Sequence, residues 1–237
     1  MNSIVKAMVA DIEYFDDLIV RMIYHSAAIE GNTVTIDETK SMFIDGIMPN
    51  FKRKVTLREI HELTNLNACW HFMMGDVTSE SPITISLMHE YHRKIMQNID
   101  EESGKFKRTK NMVGGELTVD PTSVPTEMNI LIDQLYNGWL AYAKNMEDIV
   151  RAAVSFHMRY EKIHPYLDGN GRSGRLLMNH VLIAQNVAPF VIKVEDKAFY
   201  YQCLRENNVT ALTEYALKQI AHEVTLINRN GEAYSFL

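Results

Sequence analysis

Apolar residues recur at helical spacing along most of the chain, and this period limits the fold more than any other feature. It first shows in four apolar residues that are three or four positions apart, Ile12, Phe15, Ile19 and Ile23. They predict one long amphipathic helix from about Val5 to Glu30, for which Gly31 is a natural stop. The fold class that follows is all-α.

Two short motifs predict where further helices begin. Thr35 with Glu38, and Thr56 with Glu59, have the spacing of capping boxes, in which each side chain bonds the other residue's free backbone N–H. The helix that starts after Thr56 should stop near Gly75. The apolar period predicts more helices at residues 84–97, 126–145 and 148–163, and another after residue 171.

One stretch, from Gly104 to Val119, departs from the helical pattern. Strand-like residues there surround polar turn candidates and the paired glycines Gly114 and Gly115. We therefore expect one short β-hairpin in an otherwise helical chain.

Size, charge and cysteine content exclude several classes of protein. The 237 residues, 46% hydrophobic and 23% charged, suit one globular domain. A net charge of −6 lacks the positive field that sequence-independent nucleic-acid binding needs, so no direct nucleic-acid partner is expected. Cys69 and Cys203 are too few for a disulfide framework. No apolar run is long enough to span a membrane, so we expect a cytoplasmic protein without a membrane partner.

The densest group of chemically active residues lies between two predicted helices. Gly169 and Gly171 flank Asn170 just before a helix, so successive backbone N–H groups can line an anion site helped by the helix dipole. Arg172 and Arg175 are three positions apart, so both guanidinium groups can reach the same end of that helix. Phosphate is the ligand that this arrangement favours.

Two residues beside this anion site can supply chemistry. Asp168 can hold a Mg²⁺ ion that bridges phosphates, because hard cations prefer carboxylate oxygens. His164 can act as a general base at the other end of the loop. Each residue alone is more often structural, as a cap, a turn or a solvated charge, but the joint pattern favours a functional site.

The segment from His164 to Arg175 resembles the signature of the Fic family, HxFx(D/E)GNGRxxR, whose members typically transfer AMP from ATP to a protein hydroxyl. It departs at Tyr166, where the family usually has Phe. The resemblance implies that His164 deprotonates the target hydroxyl, that Asp168 holds magnesium, and that Arg175 meets the γ-phosphate. The loop residues implied to bind the nucleotide are Asp168, Gly169, Asn170, Gly171, Arg172, Ser173, Gly174 and Arg175.

The resemblance also implies a Fic-like helical bundle with a β-hairpin flap over the target segment, at residues 104–119. The implied flap edge comprises Asn111, Met112, Val113 and Gly114. Three residues further on resemble the adenosine side of the nucleotide pocket, Tyr200, Tyr201 and Asn208. Paired tyrosines are more often packing residues, and that alternative stays open.

A second resemblance lies near the start of the chain. Ser26 to Gly31 is similar to the inhibitory motif (S/T)xxxE(G/N), which one class of Fic proteins carries on a helix N-terminal to the core. Glu30 would face the negative end of its helix dipole, which is unfavourable unless a cation pairs with it. The resemblance implies that Glu30 pairs with Arg175 and so occupies the arginine that the γ-phosphate needs.

These observations predict two parts, an N-terminal helical segment at 1–50 with the motif at 26–31, and a Fic-like core at 51–237 with its catalytic loop at 164–175. The predicted function is a self-inhibited protein adenylyltransferase that uses ATP and Mg²⁺ to attach AMP to a Ser, Thr or Tyr hydroxyl of a target protein. Self-modification, removal of AMP with the help of Glu30, and a homodimer stay open.

Two alternative functions also stay open. The first is transfer of another phosphate-linked group, namely UMP, phosphocholine or phosphate. Relatives that phosphorylate their target have a lysine at the second loop glycine, so Gly171 argues against phosphate. The second is a regulatory module that senses nucleotide without turnover.

Overall fold

The computed structural model describes residues 3–78 and 82–228. Ten α-helices account for most of these residues. They are α1 (Ser3–Ala10), α2 (Ile12–Ile29), α3 (Ile36–Phe43), α4 (Leu57–Thr78), α5 (Ile85–Ile95), α6 (Val124–Asp133), α7 (Met146–Ile163), α8 (Asn170–Ala184), α9 (Lys197–Glu206) and α10 (Val209–Ile227). The all-α prediction is confirmed.

Helices α7 and α8 pack against each other at the centre of the bundle. Helices α6 and α10 lie against α7, while α2, α4 and α5 lie against α8. As a result, every residue of α8 from Arg172 to Ile183 is buried. The loop between α7 and α8 therefore starts and ends on the most enclosed elements of the fold.

The prediction of a single helix from Val5 to Glu30 is wrong in one respect, because the helix is interrupted at Asp11. Asp11 has extended backbone angles (φ −110°, ψ 102°), and its side chain accepts a hydrogen bond from Tyr14 N. It is thus the N-cap of α2, a role that short acidic side chains favour. The predicted stop is confirmed, since α2 ends at Ile29 and Gly31 has a φ of +99°.

Both predicted capping boxes are present. Thr35 and Glu38 bond each other's backbone N–H at the start of α3. Thr56 N donates to Glu59 Oε2 at 2.8 Å, and Glu59 N donates to Thr56 Oγ1 at 3.2 Å, before α4. Helix α4 continues past Gly75, where the sequence predicted its end.

The helix expected at residues 126–145 begins earlier and is not α-helical throughout. Helix α6 begins at Val124 with a proline in its first turn, and after Asp133 the chain forms a π-helical turn over Gln134–Trp139. A 3₁₀ turn at Val194–Asp196 precedes α9. The helices expected near 84–97 and 148–163 correspond to α5 and α7.

The predicted hairpin is confirmed but short. Strands β1 (Met112–Val113) and β2 (Glu116–Leu117) pair in antiparallel register, with Met112 opposite Leu117. Gly114 and Gly115 form the turn with φ values of +58° and +87°, which few other residues adopt. The hairpin projects from the bundle, because both strands are exposed.

The division predicted at residue 50 falls between α3 and α4 and stays a prediction. Its outer limits include residues 1–2 and 229–237, and the predicted core also includes 79–81, all of which lie outside the described residues. In the part of the chain that the structure describes, no helix combines the length and the apolar character needed to cross a membrane.

A buried ion pair attaches α2 to α10. Glu223 is 2% exposed and accepts from Arg21 Nη1 at 2.5 Å and from the Tyr14 hydroxyl at 3.2 Å. Arg21 also bonds Asp17 Oδ2 at 2.6 Å, but Asp17 is exposed.

We expect Glu223→Ala to lower the free energy of unfolding by about 2–3 kcal/mol, because it leaves Arg21 and Tyr14 without their buried acceptor. Asp17→Ala, which removes the exposed partner of the same arginine, should change it by less than about 1 kcal/mol. Urea unfolding followed by circular dichroism measures both. Equal effects of the two variants would contradict the importance of the Glu223 contact.

Candidate active site

His164 ends α7 in a conformation that points the chain into the next loop. Its backbone is left-handed (φ 52°, ψ 64°), and its N–H donates to Tyr160 O at 2.9 Å. Pro165 follows, and a residue before proline avoids the helical region. The helix therefore ends where the sequence predicted, and the imidazole is placed at the rim of the loop.

The imidazole of His164 has the protonation state of a base. Nδ1 lies 3.3 Å from Glu161 O, and because a carbonyl only accepts, Nδ1 carries the hydrogen. Nε2 is then the nitrogen with the free lone pair. Burial lowers the pKa of His164 to about 4, so the ring is neutral at physiological pH.

Two hydrogen bonds from one side-chain amide fix the loop between α7 and α8. Asn170 Oδ1 accepts from Tyr166 N, and Asn170 Nδ2 donates to Tyr166 O, both at 2.9 Å. Gly169 has a φ of +75°, and a Cβ there would lie 2.6 Å from Met96 Sδ. Only glycine fits this position, which turns the chain into the N-terminus of α8.

Arg175 meets the N-terminal helix in the way the sequence suggested. Its Nη2 donates to Glu30 Oε1 at 2.8 Å and to Ser26 O at 2.9 Å, and its Nε donates to Ser26 Oγ at 3.1 Å. A Cβ on Gly171 would also collide with Glu30 Oε1. The Glu30 carboxylate thus lies at the N-terminus of α8, where the sequence predicted an anion.

Arg172 has different partners, although the sequence suggested that both arginines reach the same end. It is 2% exposed, with Nη1 at 3.3 Å from Glu62 Oε1 and Nη2 at 3.5 Å from Asp168 Oδ1. The two guanidinium groups are therefore bound by separate carboxylates, and Arg172 is enclosed between α4 and the loop.

Asp168, the expected magnesium ligand, is half-buried and surrounded by donors. Its Oδ2 accepts from Arg58 Nη2 at 2.5 Å, and its Oδ1 accepts from Gly169 N at 2.6 Å. Burial acts to raise the pKa of Asp168, but Arg172, Arg58 and the Gly169 amide outweigh it and lower that pKa. Asp168 is therefore ionised at neutral pH.

Asp168 is the loop carboxylate that could contribute a ligand to a metal ion. Among the residues that the structure describes, no group of three or more His, Cys, Asp or Glu side chains could hold a metal ion. Mg²⁺ typically binds through one or two carboxylates plus substrate phosphates and water. Asp168 fits that pattern as the single protein carboxylate.

Comparison with known proteins shows which family this chain resembles. Residues 82–182 match the model of the Fic/DOC family. The chain is 30% identical over 210 residues to protein adenylyltransferase fic-1 of Caenorhabditis elegans, a match that covers 87% of this chain and 40% of that relative. It is 32% identical over 192 residues to protein adenylyltransferase Fic of Culex quinquefasciatus, covering 80% of this chain and 37% of that one.

The chain belongs to the Fic/DOC family. A solved fragment of Fic-1 from C. elegans superposes with a TM-score of 0.74 at 27% identity, covering 94% of this chain and 64% of the fragment. A Fic domain containing signaling protein from Bacteroides thetaiotaomicron VPI-5482 shares the fold, with a TM-score of 0.81 at 24% identity over 95% of this chain and 96% of that one. The chain spans about 40% of the length of the curated relatives it matches.

Two histidines of α5 support the Fic loop, which the sequence did not reveal. His92 accepts from Gly104 N on Nδ1, so Nε2 carries the hydrogen and donates to Asp168 O, both at 2.9 Å. The His92 ring stacks on the Tyr166 ring, with 3.6 Å between the ring centroids. The Tyr166 hydroxyl forms a hydrogen bond with His89 Nδ1 at 3.0 Å. In the sequence, the one sign of this role is that His89 and His92 are three positions apart and so share a face of α5.

A buried lysine joins the flap to the loop, and the sequence did not reveal it. Lys107 is 5% exposed, and its Nζ donates to Asn111 Oδ1 at 2.8 Å, to Thr118 Oγ1 and to Ile163 O. Asn111 Nδ2 in turn donates to Tyr166 O at 3.0 Å. Met112, Val113 and Gly114, the other flap residues, are exposed beyond this anchored base.

The residues expected at the adenosine side have mixed roles. Tyr200 is buried, and its hydroxyl bonds His157 Nε2 at 2.8 Å. Tyr201 is 37% exposed and donates to Ile29 O at 3.3 Å, next to Glu30. Asn208 caps α10 by accepting from Ala211 N at 3.0 Å, a structural role that occupies its side-chain oxygen.

A further buried acid lies near Arg175. Burial raises the pKa of Glu161 to about 8, and Arg175 only partly opposes this. Its Oε1 lies 4.0 Å from His157 Nδ1, and neither atom has a hydrogen-bond partner. Ser173 and Gly174 are also buried, with Gly174 packed so closely that a Cβ would lie 2.5 Å from Glu161 Oε1.

We expect the imidazole of His164 to stay neutral until the pH falls below about 5, because burial disfavours the charged ring. Proton NMR of the histidine ring signals, assigned with His164→Ala, measures the titration. Since the folded pKa lies below the value of an unfolded histidine, protonation between about pH 6.5 and 4 favours the unfolded chain. A midpoint near 6.5 would contradict the buried environment.

Proposed function

We propose that this chain is an ATP-dependent protein adenylyltransferase that its own Glu30 holds in an inhibited state. The observation that carries the proposal is the ion pair between Glu30 and Arg175 near the N-terminus of α8, the helix that follows His164. A carboxylate there occupies the anion site and the guanidinium that nucleotide phosphates would use. The relatives named protein adenylyltransferases support the chemistry.

The loop residues have defined tasks in this reaction. Nε2 of His164 takes the proton from a Ser, Thr or Tyr hydroxyl, and the oxygen attacks the α-phosphorus of ATP. The bond from that phosphorus to the bridging oxygen breaks, and pyrophosphate leaves. Backbone N–H groups of Asn170 and Gly171 and the dipole of α8 stabilise the negative charge, while the Gly169 N–H stays bonded to Asp168. A Mg²⁺ ion held by Asp168 would neutralise further phosphate charge.

Competition for Arg175 explains the inhibition. A guanidinium group can form paired hydrogen bonds to a carboxylate or to a phosphate, but not to both in the same place. With Glu30 bound, the γ-phosphate of ATP lacks this partner, and the α-phosphorus is misplaced for attack. The proposal also includes removal of AMP from a modified target. Glu30 could take part in that reaction, because its carboxylate lies beside Gly171 and Arg175 of the proposed nucleotide site.

We expect His164→Ala to lower AMP transfer about 10²–10⁴-fold while leaving ATP affinity unchanged, because a general base acts on the nucleophile. The matched control is His222→Ala, which removes an exposed histidine of α10. His164→Ala and His222→Ala are both made in a Glu30→Gly background. Protein labelling from α-³²P-ATP measures AMP transfer, and labelling from γ-³²P-ATP would instead indicate phosphorylation.

Wild-type labelling by His164→Ala would remove this residue from the mechanism. ATP binding without labelling from any phosphate position would favour a nucleotide-sensing module. Labelling from UTP or CDP-choline, with none from ATP, would favour transfer of another group.

We expect Glu30→Gly to raise AMP transfer at least about tenfold, because Arg175 becomes free for the γ-phosphate. Position 30 follows the last residue of α2, so glycine there disturbs few helical bonds. Glu30→Gln keeps the size of the side chain and removes its charge, and it should activate in the same direction. The initial rate of labelling at saturating ATP is the measurement.

Adding Arg175→Ala to Glu30→Gly should abolish the gain, because the freed guanidinium is what the phosphate then binds. Flat or lower rates in Glu30→Gly, with the fold intact by circular dichroism, would contradict self-inhibition and leave the His164 assignment standing.

A further inference from the structure

Groups of the protein itself bind both carboxylate oxygens of Asp168. Oδ2 accepts from Arg58 Nη2 at 2.5 Å. Oδ1 accepts from Gly169 N at 2.6 Å and lies 3.5 Å from Arg172 Nη2. Metal ions bind carboxylates through these same oxygens. A cation that binds Asp168 therefore competes with at least one of these groups.

Of the three competing groups, Arg58 is the one that can leave. The Gly169 donor is a backbone amide and cannot swing away as a side chain can. Its loop is also held in place, because the Asn170 side chain bonds both the N–H and the carbonyl of Tyr166. The Arg172 side chain is 2% exposed and enclosed, whereas that of Arg58 is 55% exposed. Exposed ion pairs are weak, because water competes for both partners. A metal can therefore displace Arg58 more easily than the other two donors.

Arg58 also has a second partner that can retain it after displacement. Its Nε lies 3.2 Å from Glu62 Oε1, one turn further along α4. The capping box of Thr56 and Glu59 fixes the start of this helix directly beside Arg58. The guanidinium can release Asp168 and stay paired with Glu62, without movement of the backbone.

The charges around Asp168 balance as they stand. Asp168 and Glu62 carry two negative charges, and Arg58 and Arg172 carry two positive ones. A divalent cation added beside Arg58 would meet a like charge at short range. Glu62 Oε2 also accepts from Asn32 Nδ2 at 2.9 Å, so the same cluster reaches the segment that follows Glu30.

We propose that Arg58 is a positioning residue for the metal site, whose guanidinium neutralises Asp168 until Mg²⁺ enters with the nucleotide and then remains on Glu62. This inference rests on the proposed function, since it requires that Asp168 holds the metal. It adds a residue 110 positions before Asp168 that lies outside the loop signature. Arg58 thereby sets how strongly magnesium promotes nucleotide binding.

The test measures ATP affinity by calorimetry with and without Mg²⁺. The parent is the whole chain with Glu30→Gly, which frees the anion site, and His164→Ala, which prevents turnover. Adding Arg58→Ala should increase the gain in ATP affinity that Mg²⁺ gives by at least about threefold, because a competing cation is removed. Arg58→Lys keeps the charge and should stay within about twofold of the parent. Free Mn²⁺ measured by electron paramagnetic resonance, with ATP present, gives a second readout of metal affinity.

Arg53→Ala is the matched control, because it removes a positive charge nearby that bonds Glu38 and Thr33 O instead of the loop. It should leave the magnesium gain unchanged. An unchanged or smaller gain in Arg58→Ala, with the melting curve of the parent, would overturn the inference alone. Absence of any magnesium-dependent ATP binding in the parent would overturn the role of Asp168 in the proposed function as well.

Discussion

Two arginines on the first two turns of a buried helix constrain much of this structure. Arg172 and Arg175 lie on α8, whose residues from Arg172 to Ile183 are buried. A buried charge is unfavourable unless it is paired. Arg172 meets Glu62 and Asp168, and Arg175 meets Glu30 and Ser26. The C-cap of α2 and the first turns of α4 therefore each supply an acid to the same short segment.

The same requirement makes the site responsive to an anionic ligand. A helix N-terminus with buried arginines needs negative charge, and either carboxylates or phosphates can supply it. Here Glu30 is the anion that pairs with Arg175. The contact that compensates the buried charge of Arg175 is thus the same contact on which the proposed inhibition depends.

The loop that carries His164 is rigid because several elements bind its backbone. Asn170 closes it from within, His92 donates to Asp168 O from α5, and Lys107 donates to Ile163 O from the base of the flap. These contacts also join the hairpin to the catalytic loop, since Asn111 donates to Tyr166 O. A target segment that binds the flap would therefore lie at a fixed distance from the His164 imidazole.

Sequence patterns were enough to predict the helical class, both capping boxes and the hairpin, and to single out the segment from His164 to Arg175. Each of these features depends on residues close together in the chain. It did not show the break at Asp11, since the apolar period runs through both helices. Three contacts became visible only in the folded chain: Arg172 faces Glu62, Arg58 binds Asp168, and His92 donates to the loop. These pairs join residues 76 to 110 positions apart, and local spacing carries no information about which distant side chains a packed core brings together.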